Sequence, residues 1–382
     1  MLCARLDSAI AKSGRLRIVY DVRNYGGTFG GIARYVAELA SEMASIEDDN
    51  VTFLAPIFSE PLFGNLAQVK VVGRYVRPIR RGRGLAAEVN GILARFRLWA
   101  LAPEIVHEIF YYRKSANPQK GRTVVTVYDM VDERCPDALA RKESVRGRWS
   151  RSIKADAIRR ADHVICISAS TRNDLIELLD VEPQKVSVTH LGCRIPNQLP
   201  AQRMVSEPYL LHVGNRCGYK NFAALLLAYA RSIRLSRSFR LVCFGGGSFS
   251  QDECSMIAAF GLEEAALTQL GGDDDILANL YTHAAALVYP SLYEGFGLPP
   301  LEAMAHGCPA ICSNTSSLPE VVGAAAELFD PTDVEAISFA MERVVFSESR
   351  TTALREAGRD RAELFSWKDC ARRTRAIYEA II

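Results

Sequence analysis

Residues 286–306, ALVYPSLYEGFGLPPLEAMAH, join a short apolar segment to a helical one through a loop that carries two carboxylates. The segment Ala286–Tyr289 is typical of a buried parallel strand. Gly295 and Gly297 allow the backbone to turn sharply, and the two prolines that follow pre-set φ for the first turn of a helix. A buried strand, a turn and a helix make half of a βαβ unit, so this stretch predicts a parallel sheet covered by helices.

The two carboxylates of this stretch, Glu294 and Glu302, stand on either side of the turn. Glu302 is predicted to lie in the first turn of the helix, where capping of the helix N-terminus is a sufficient reason for an acid. Glu294 lies in an otherwise apolar loop, which favours a polyol or a cation as its partner. Because carboxylates accept hydrogen bonds from vicinal hydroxyls, the pair predicts a nucleotide sugar, with a ring at each acid and the diphosphate between.

The same alternation of strand and helix runs along the whole chain. Strands are predicted at residues 16–20, 123–127, 163–167, 186–189, 209–213, 240–244, 268–270, 286–289 and 310–313. Helices are predicted at residues 32–44, 144–161, 171–179, 222–233, 252–260, 276–283, 301–306, 334–347, 350–364 and 367–382. Residues 194–207 contain two prolines and no period, and they predict a linker. We therefore expect an α/β protein with two Rossmann-like, doubly wound domains facing across a cleft, residues 1–193 and 208–364, followed by a final helix at 365–382.

Composition limits the functional classes. The chain has 382 residues, 49% hydrophobic and 24% charged, which is typical of a globular protein long enough for two domains. A net charge of +2 gives no global case for a nucleic-acid partner, and none is expected. Ten cysteines occur without zinc spacing, which predicts buried thiols in a reducing compartment and no metal site. No apolar run is long enough to span a membrane and the N-terminus lacks a signal core, so a cytoplasmic protein is expected.

Two further loops are candidates for phosphate binding. Gly30 and Gly31 stand where a helix begins, so a ligand can approach the backbone amides and the positive end of the helix. The segment Gly214-Asn215-Arg216, with Lys220 four residues on, follows the first strand of the second domain, and its cations predict a diphosphate clamp. The alternatives are a flexible loop for the glycines and a solvated basic turn for the cations. Neither loop has the spacing of a dinucleotide fingerprint or a P-loop.

Four motifs in this order resemble the retaining glycosyltransferases of family 4, which have the GT-B architecture. They are the Gly-Gly-Ile loop at 30–32, CISAS with VSVTHLG at 166–192, the Gly-Asn-Arg and Lys-Asn block at 214–221, and EGFGLPPLEAMAHGCPAI at 294–311. The resemblance implies that the first domain binds the acceptor and the second the nucleotide sugar, and that the last helix crosses back to the first domain. It also implies a hydroxyl as acceptor and a diphosphate neutralised by cationic side chains without a metal.

The resemblance also assigns roles to residues. Donor binding is implied for Gly30, Gly31, Gly214, Asn215, Arg216, Lys220, Gly271, Phe296, Gly297, Leu298 and Glu302. Within this set Glu302 would hold the ribose, Arg216 and Lys220 the diphosphate, and the loop near Gly271 the base. Glu294 would hold the hydroxyls of the donor sugar, and Glu294, Arg216, Lys220 and Asp129 are the predicted catalytic residues.

One departure from the family pattern concerns Tyr128 and Asp129. Many members have a His-Asp pair at this position, after the strand at 123–127. Tyrosine is a poor base at its ordinary pKa, so the departure favours a front-face reaction in which a donor phosphate oxygen accepts the proton. Tyr128 and Asp129 are expected to bind the acceptor; the alternatives are a core tyrosine and a strand-end cap. Asp132 and Glu133 are weaker acceptor candidates, and His107 is expected to be a core histidine.

The acceptor and the cellular location depend on basic segments. Residues 74–97 contain seven arginines against one acid, and apolar residues recur there at helical intervals; the arginines are Arg74, Arg77, Arg80, Arg81, Arg83, Arg95 and Arg97. Such a segment predicts an anionic membrane surface or a lipid-linked acceptor, and residues 141–160 could extend it; a solvated helix face is the alternative. We expect a peripheral protein on the cytosolic face of the inner membrane.

The expected donor is GDP-mannose, because the 128–129 and 214–221 blocks resemble those of bacterial polysaccharide mannosyl- and rhamnosyltransferases. No cofactor is expected besides this substrate. The alternatives are an epimerase or phosphorylase of the same architecture, and a degenerate sugar-nucleotide-binding or scaffolding subunit of a polysaccharide assembly complex.

Overall fold

The computed structural model describes residues 15–23, 30–46, 49–58, 69–76, 83–118, 121–136, 145–263 and 266–382. Within these ranges the strands form two sheets in which every pairing is parallel. The first sheet has the order β3-β2-β1-β4-β5-β6-β7 and contains Arg17–Asp21 (β1), Asn50–Phe58 (β2), Lys70–Tyr75 (β3), Ile105–Glu108 (β4), Arg122–Val127 (β5), His163–Cys166 (β6) and Val186–Val188 (β7). The second has the order β10-β9-β8-β11-β12-β13 and contains Tyr209–Val213 (β8), Arg240–Phe244 (β9), Leu267–Leu270 (β10), Ala286–Tyr289 (β11), Ala310–Ser313 (β12) and Ala326–Phe329 (β13).

Helices connect the strands of both sheets. In the first half they are Gly30–Ser45 (α1), Arg83–Leu101 (α2), Val131–Arg134 (α3), Val145–Arg160 (α4) and Ala169–Leu179 (α5). In the second half they are Phe222–Arg231 (α6), Ile233–Ser238 (α7), Gln251–Ala259 (α8), Asp274–His283 (α9), Leu298–Ala305 (α10), Leu318–Val322 (α11), Val334–Val345 (α12), Glu348–Glu363 (α13) and Trp367–Ile381 (α14). The predicted α/β fold with two doubly wound domains is confirmed.

The strand order reverses once in each sheet, between β1 and β4 and between β8 and β11. Ligands of doubly wound sheets bind at this switch point, outside the carboxyl ends of the strands. In the second sheet, the segment 214–221 follows β8 and the segment 290–297 follows β11. The topology therefore places the two motifs that the sequence singled out side by side.

The predicted helix over 222–233 is wrong in its length. It ends at Arg231, and a second helix starts at Ile233 with Ser232 as its N-cap, whose Oγ accepts a hydrogen bond from the amide of Leu235 at 3.1 Å. A serine oxygen competes well for helix N-terminal amides, and the chain changes direction there.

The last helix, Trp367–Ile381, packs against the first domain. Arg375 Nε donates to Asp49 Oδ2 at 2.8 Å in a buried ion pair. Tyr378 OH lies 2.6 Å from Nδ1 of His107, whose Nε2 lies 2.7 Å from the hydroxyl of Thr126. Burial lowers the pKa of His107 to about 3. The predicted core role of His107 is confirmed.

Candidate active site

Lys220 and Glu294 form an ion pair at the switch point of the second sheet. Lys220 ends the short 3₁₀ turn Gly218–Lys220 after β8, and Glu294 lies in the loop after β11. Nζ is 2.6 Å from Glu294 Oε1 and 3.1 Å from the hydroxyl of Tyr289, and only 13% and 11% of the two charged side chains is exposed. Burial lowers the pKa of Lys220, but the Glu294 carboxylate outweighs it and the pKa rises above its ordinary value. The lysine is therefore a partly buried, permanently charged group.

The loop that carries Glu294 is held by the serines that follow β12. The amide of Glu294 donates to Ser316 Oγ at 2.8 Å. Ser317 Oγ donates to the carbonyls of Glu294 and Phe296, at 2.9 and 2.8 Å. Gly297 then caps helix Leu298–Ala305 with φ +111°, a conformation that side chains disfavour. The carboxylate thus projects from a backbone whose hydrogen bonds go to a neighbouring loop.

The prediction that Glu302 lies in the first turn of its helix is wrong, because the helix already begins at Leu298 and Glu302 is in its second turn. The capping alternative therefore does not describe it, and its carboxylate faces the cleft. Its Oε2 accepts from Tyr281 OH at 3.1 Å, and its Oε1 accepts from Arg34 Nη1 at 2.9 Å. Arg34 belongs to the first domain and also pairs with Asp274. Sequence reasoning missed this arginine, although it follows Gly30 and Gly31 by one helical turn. These residues line a cavity of about 880 Å³ to which both domains contribute.

Arg216 differs from its predicted place in an open clamp. Its guanidinium donates to Glu253 Oε1 at 2.7 Å and to the carbonyls of Gly245 and Gly247, each at 2.8 Å. The guanidinium is packed over the Phe249 ring, and the side chain is buried. In this structure Arg216 anchors the glycine loop after β9, and its contact with a diphosphate stays a prediction.

Tyr128 and Asp129 meet the Glu294 loop across the cleft. A Cβ added to Gly295 would lie 1.8 Å from the carbonyl oxygen of Tyr128 and 2.9 Å from Cβ of Asp129. Tyr128 donates its only hydroxyl proton to the carbonyl of Ile109 at 3.1 Å, which matches the core-tyrosine alternative. Asp129 Oδ1 accepts from the amide of Val131 at 3.1 Å, as a strand-end cap does. The negative charge of Asp129 also helps to raise the pKa of Lys220.

The family models match both halves of the chain. The model described as Glycosyltransferase Family 4 matches residues 29–195, and the model described as Glycosyl transferases group 1 matches residues 199–361. The chain belongs to glycosyltransferase family 4. Together the two models cover both domains, and the joint between them falls in the predicted linker.

Relatives of this family 4 glycosyltransferase include mannosyltransferases. O-antigen chain mannosyltransferase B of Escherichia coli is 29% identical over 385 residues, with 96% of this chain and 100% of the relative covered. MMP alpha-(1->4)-mannosyltransferase of Mycolicibacterium hassiacum is 32% identical over 248 residues, with 63% and 60% covered. The structure of sucrose-phosphate synthase from Thermosynechococcus elongatus matches with a TM-score of 0.74 at 19% identity, covering 96% and 99% of the two chains, which shows a shared GT-B fold.

The remaining predicted donor residues of the glycosyltransferase also lie along the cleft edges of the sheets. Gly30 and Gly31 begin helix α1, and a Cβ added to Gly31 would meet nothing within 4 Å. Gly214, with φ +118°, and Asn215 follow β8, while Gly271 follows β10. Leu298 starts α10 and lines the cavity beside Glu302. Asp273 caps α9 by accepting from the amide of Ile276, as its sequence position indicates.

One lysine of the second basic segment holds the Asp129 loop. Lys154 is buried and donates to the carbonyl of Asp129 at 2.6 Å and to Glu133 Oε2 at 3.0 Å. Arg160 pairs with the buried Glu108 at 2.6 Å. Lys154 and Arg160 are turned inward and paired, so the predicted extension of a basic surface is wrong for these two residues. Arg159 stays exposed beside Asp156. Residues 141–144 lie outside the described ranges, and the side chains of 145–149 are not described.

No group of three or more histidine, cysteine, aspartate or glutamate side chains in the described ranges is placed to hold a metal ion. Nine cysteines in those ranges are free thiols, six of them buried: Cys166, Cys193, Cys243, Cys308, Cys312 and Cys370. The predicted burial is confirmed for these six, whereas Cys217 and Cys254 are exposed, and the reducing compartment stays a prediction.

Proposed function

We propose that the protein transfers mannose from GDP-mannose to a hydroxyl of a glycan or lipid-linked saccharide in surface polysaccharide synthesis, with retention of anomeric configuration and without a metal ion. The observation that carries the proposal is the Lys220–Glu294 pair at the switch point, in a loop that meets Asp129 of the first domain and leads into the helix that carries Glu302. The mannosyltransferases among the relatives support the choice of sugar.

Each group has a part in binding the donor. Glu302 accepts hydrogen bonds from the ribose hydroxyls, and Glu294 accepts them from the hydroxyls of mannose. A lysine ammonium has three N–H donors, and Glu294 and Tyr289 take two of them. The third is free to reach a phosphate oxygen, so Lys220 can neutralise the departing GDP without leaving Glu294.

The transfer follows from this placement. The bond between the anomeric carbon and the GDP oxygen breaks, and its electron pair leaves with the diphosphate. The acceptor oxygen forms its bond to the same carbon on the same face, and its proton passes to the departing phosphate oxygen. Asp129 stabilises the positive charge that develops on the sugar ring. No protein base is required, which agrees with a tyrosine at position 128.

A panel of nucleotide sugars tests the donor. We expect GDP to raise the melting temperature of the protein more than UDP, dTDP or ADP, because only a ligand that binds the native state stabilises it. With GDP-mannose and a mannose-containing acceptor, the product should have the α configuration by NMR. A protein that binds GDP and never consumes donor would favour the scaffolding alternative; stabilisation by UDP alone would overturn the choice of donor.

We also propose that the first domain docks on an anionic membrane through helix α2, Arg83–Leu101. Its inner face buries Asn90, Ala94 and Leu98. Its outer face exposes large apolar side chains at positions 89, 92, 93, 96 and 99, with Phe96 71% exposed and Trp99 63%. Arg95 and Arg97 are exposed on the same helix, and Arg74 on the neighbouring edge strand. Exposed aromatic residues flanked by arginines match an anionic bilayer surface.

Among the helices in the described ranges, none combines the length and apolar character that a membrane span requires. Arg77, Arg80 and Arg81 lie outside those ranges, and only the backbone of Arg83 is described.

Co-sedimentation with vesicles tests this docking surface. We expect binding to phosphatidylglycerol-containing vesicles at low salt, weaker binding at high salt, and little binding to phosphatidylcholine. Phe96→Ser should lower the partition coefficient about 30-fold, since burying a phenylalanine side chain contributes about 2 kcal/mol. Phe339→Ser is the matched control, because Phe339 is also largely exposed, at 62%, but lies on the second domain. Equal effects of the two substitutions, or equal binding to both kinds of vesicle, would contradict the proposal.

A further inference from the structure

Arg34 reaches across the cleft to the carboxylate that the proposed function assigns to the ribose. It projects from α1 of the first domain, and Nη1 donates to Glu302 Oε1 at 2.9 Å. Nη2 of the same guanidinium pairs with Asp274 at the start of α9. Both partners belong to the second domain, so one side chain of the acceptor domain touches the donor site. The donor-binding and catalytic roles proposed above do not include Arg34.

Glu302 needs a cation because it is buried. Burial raises the pKa of this carboxyl, and Arg34 and Tyr281 act against that rise. Asp274, in contrast, adds to the rise through its own negative charge. A protonated Glu302 would lose part of its capacity to accept bonds from two ribose hydroxyls. The groups that face the Glu302 side chain are Arg34 from α1, Asp274 and Tyr281 from α9, and Cys193 from the segment after β7. His306, the C-cap residue of the Glu302 helix, contacts the backbone carbonyl of Glu302.

We propose that Arg34 is a positioning residue that keeps Glu302 ionised and oriented for the ribose of the donor. The inference rests on the proposed function, since it assumes that Glu302 binds the nucleotide. Arg34 binds one oxygen of the Glu302 carboxylate, Oε1, and Tyr281 binds the other, Oε2. The two contacts together fix the orientation of the carboxylate between the two domains. Donor binding is thereby made to depend on a side chain from the opposite domain.

The test compares GDP dissociation constants of the wild type and Arg34→Met by calorimetry between pH 5.5 and 8.5. Loss of a cation close to a carboxylate raises the carboxyl pKa by about one unit or more. Affinity that requires ionised Glu302 is present above that pKa and is lost as the pH falls through it, so the loss starts at a higher pH in the variant. We expect the GDP dissociation constant of Arg34→Met, divided by that of the wild type, to rise about tenfold as the pH falls from 8.5 to 5.5. Titration of GDP itself affects both constants equally and cancels in this ratio.

Three controls separate positioning from a structural effect. Arg34→Lys should restore most of the wild-type pH profile. Arg194→Met removes another arginine that lines the cavity but pairs with Glu38, and its ratio should stay constant with pH. In a Glu302→Gln background, the Arg34→Met ratio should also be constant. If GDP binds and the Arg34→Met ratio does not change with pH, the inference is overturned while the donor assignment stands. If GDP binds the wild type at no pH, the donor assignment fails, and the inference fails with it.

Discussion

Replacing Lys220 with methionine should lower kcat by on the order of 100- to 1,000-fold. Removal of a single preorganised hydrogen-bond donor typically costs this much in kcat, and the Lys220 ammonium is the donor that would stabilise the charge on the departing diphosphate. The same substitution should lower the free energy of unfolding by about 3 kcal/mol, because it leaves Glu294 without its partner in a place where little of either side chain is exposed. Steady-state kinetics with GDP-mannose and urea unfolding measure the two effects.

A double variant separates catalysis from stability. Lys220→Met combined with Glu294→Gln replaces the ion pair by two uncharged side chains of similar size. Such replacements of buried pairs are often neutral in stability, so most of the lost free energy of unfolding should return. Activity should not return, because neither the cation nor the sugar-binding carboxylate is present. Recovery of turnover in the double variant would mean that the pair serves the fold alone, and the site assignment would be wrong.

The Lys220–Glu294 pair shows what sequence patterns can locate. Each residue follows a recognisable buried strand, and carboxyl ends of neighbouring parallel strands meet at one edge of the sheet. Their proximity could therefore be predicted without knowledge of side-chain conformation. The glycine and proline pattern also predicted a helix directly after the turn, although that helix begins at Leu298, three residues earlier than predicted, and Glu302 lies in its second turn. Strand periodicity and turn chemistry are local properties, and they were sufficient for these residues.

Other contacts depend on pairing between distant segments. Arg216 looked like an open cation because its partner, Glu253, lies 37 residues away on a helix whose orientation the sequence does not specify. Arg34 and Glu302 are 268 residues apart and meet only because the two domains face each other. Strands β2 and β3 were missed for a local reason: Pro56 lies within Asn50–Phe58, and Lys70–Tyr75 is a largely exposed edge strand with a glycine. Proline and glycine both weaken a strand pattern.

The contact between the domains at Gly295 leads to the second large effect. Gly295→Ala should lower kcat at least 100-fold while GDP binding changes only a few-fold. The added methyl group would lie 1.8 Å from the carbonyl oxygen of Tyr128, and backbone atoms cannot move aside as a flexible side chain can. The cleft must open to relieve the clash, and displacing Asp129 by about 1 Å from the donor site can cost on the order of 100-fold in rate. Lys220 and Glu302 both belong to the second domain, so GDP binding should largely persist when it is measured at pH 8.5, where the loss of the Arg34 contact has its smallest effect.

The control for this steric effect is Gly91→Ala, since a Cβ at Gly91 would meet nothing within 4 Å and alanine favours the helix in which it lies. That variant should keep the wild-type kcat with a soluble acceptor. Small-angle scattering should show a larger radius of gyration for Gly295→Ala than for Gly91→Ala in the presence of GDP, because only the former cannot close. A Gly295→Ala enzyme with wild-type turnover would show that the contact between Gly295 and Tyr128 is absent from the reacting state. The transfer would then have to proceed with Asp129 remote from Lys220 and Glu294.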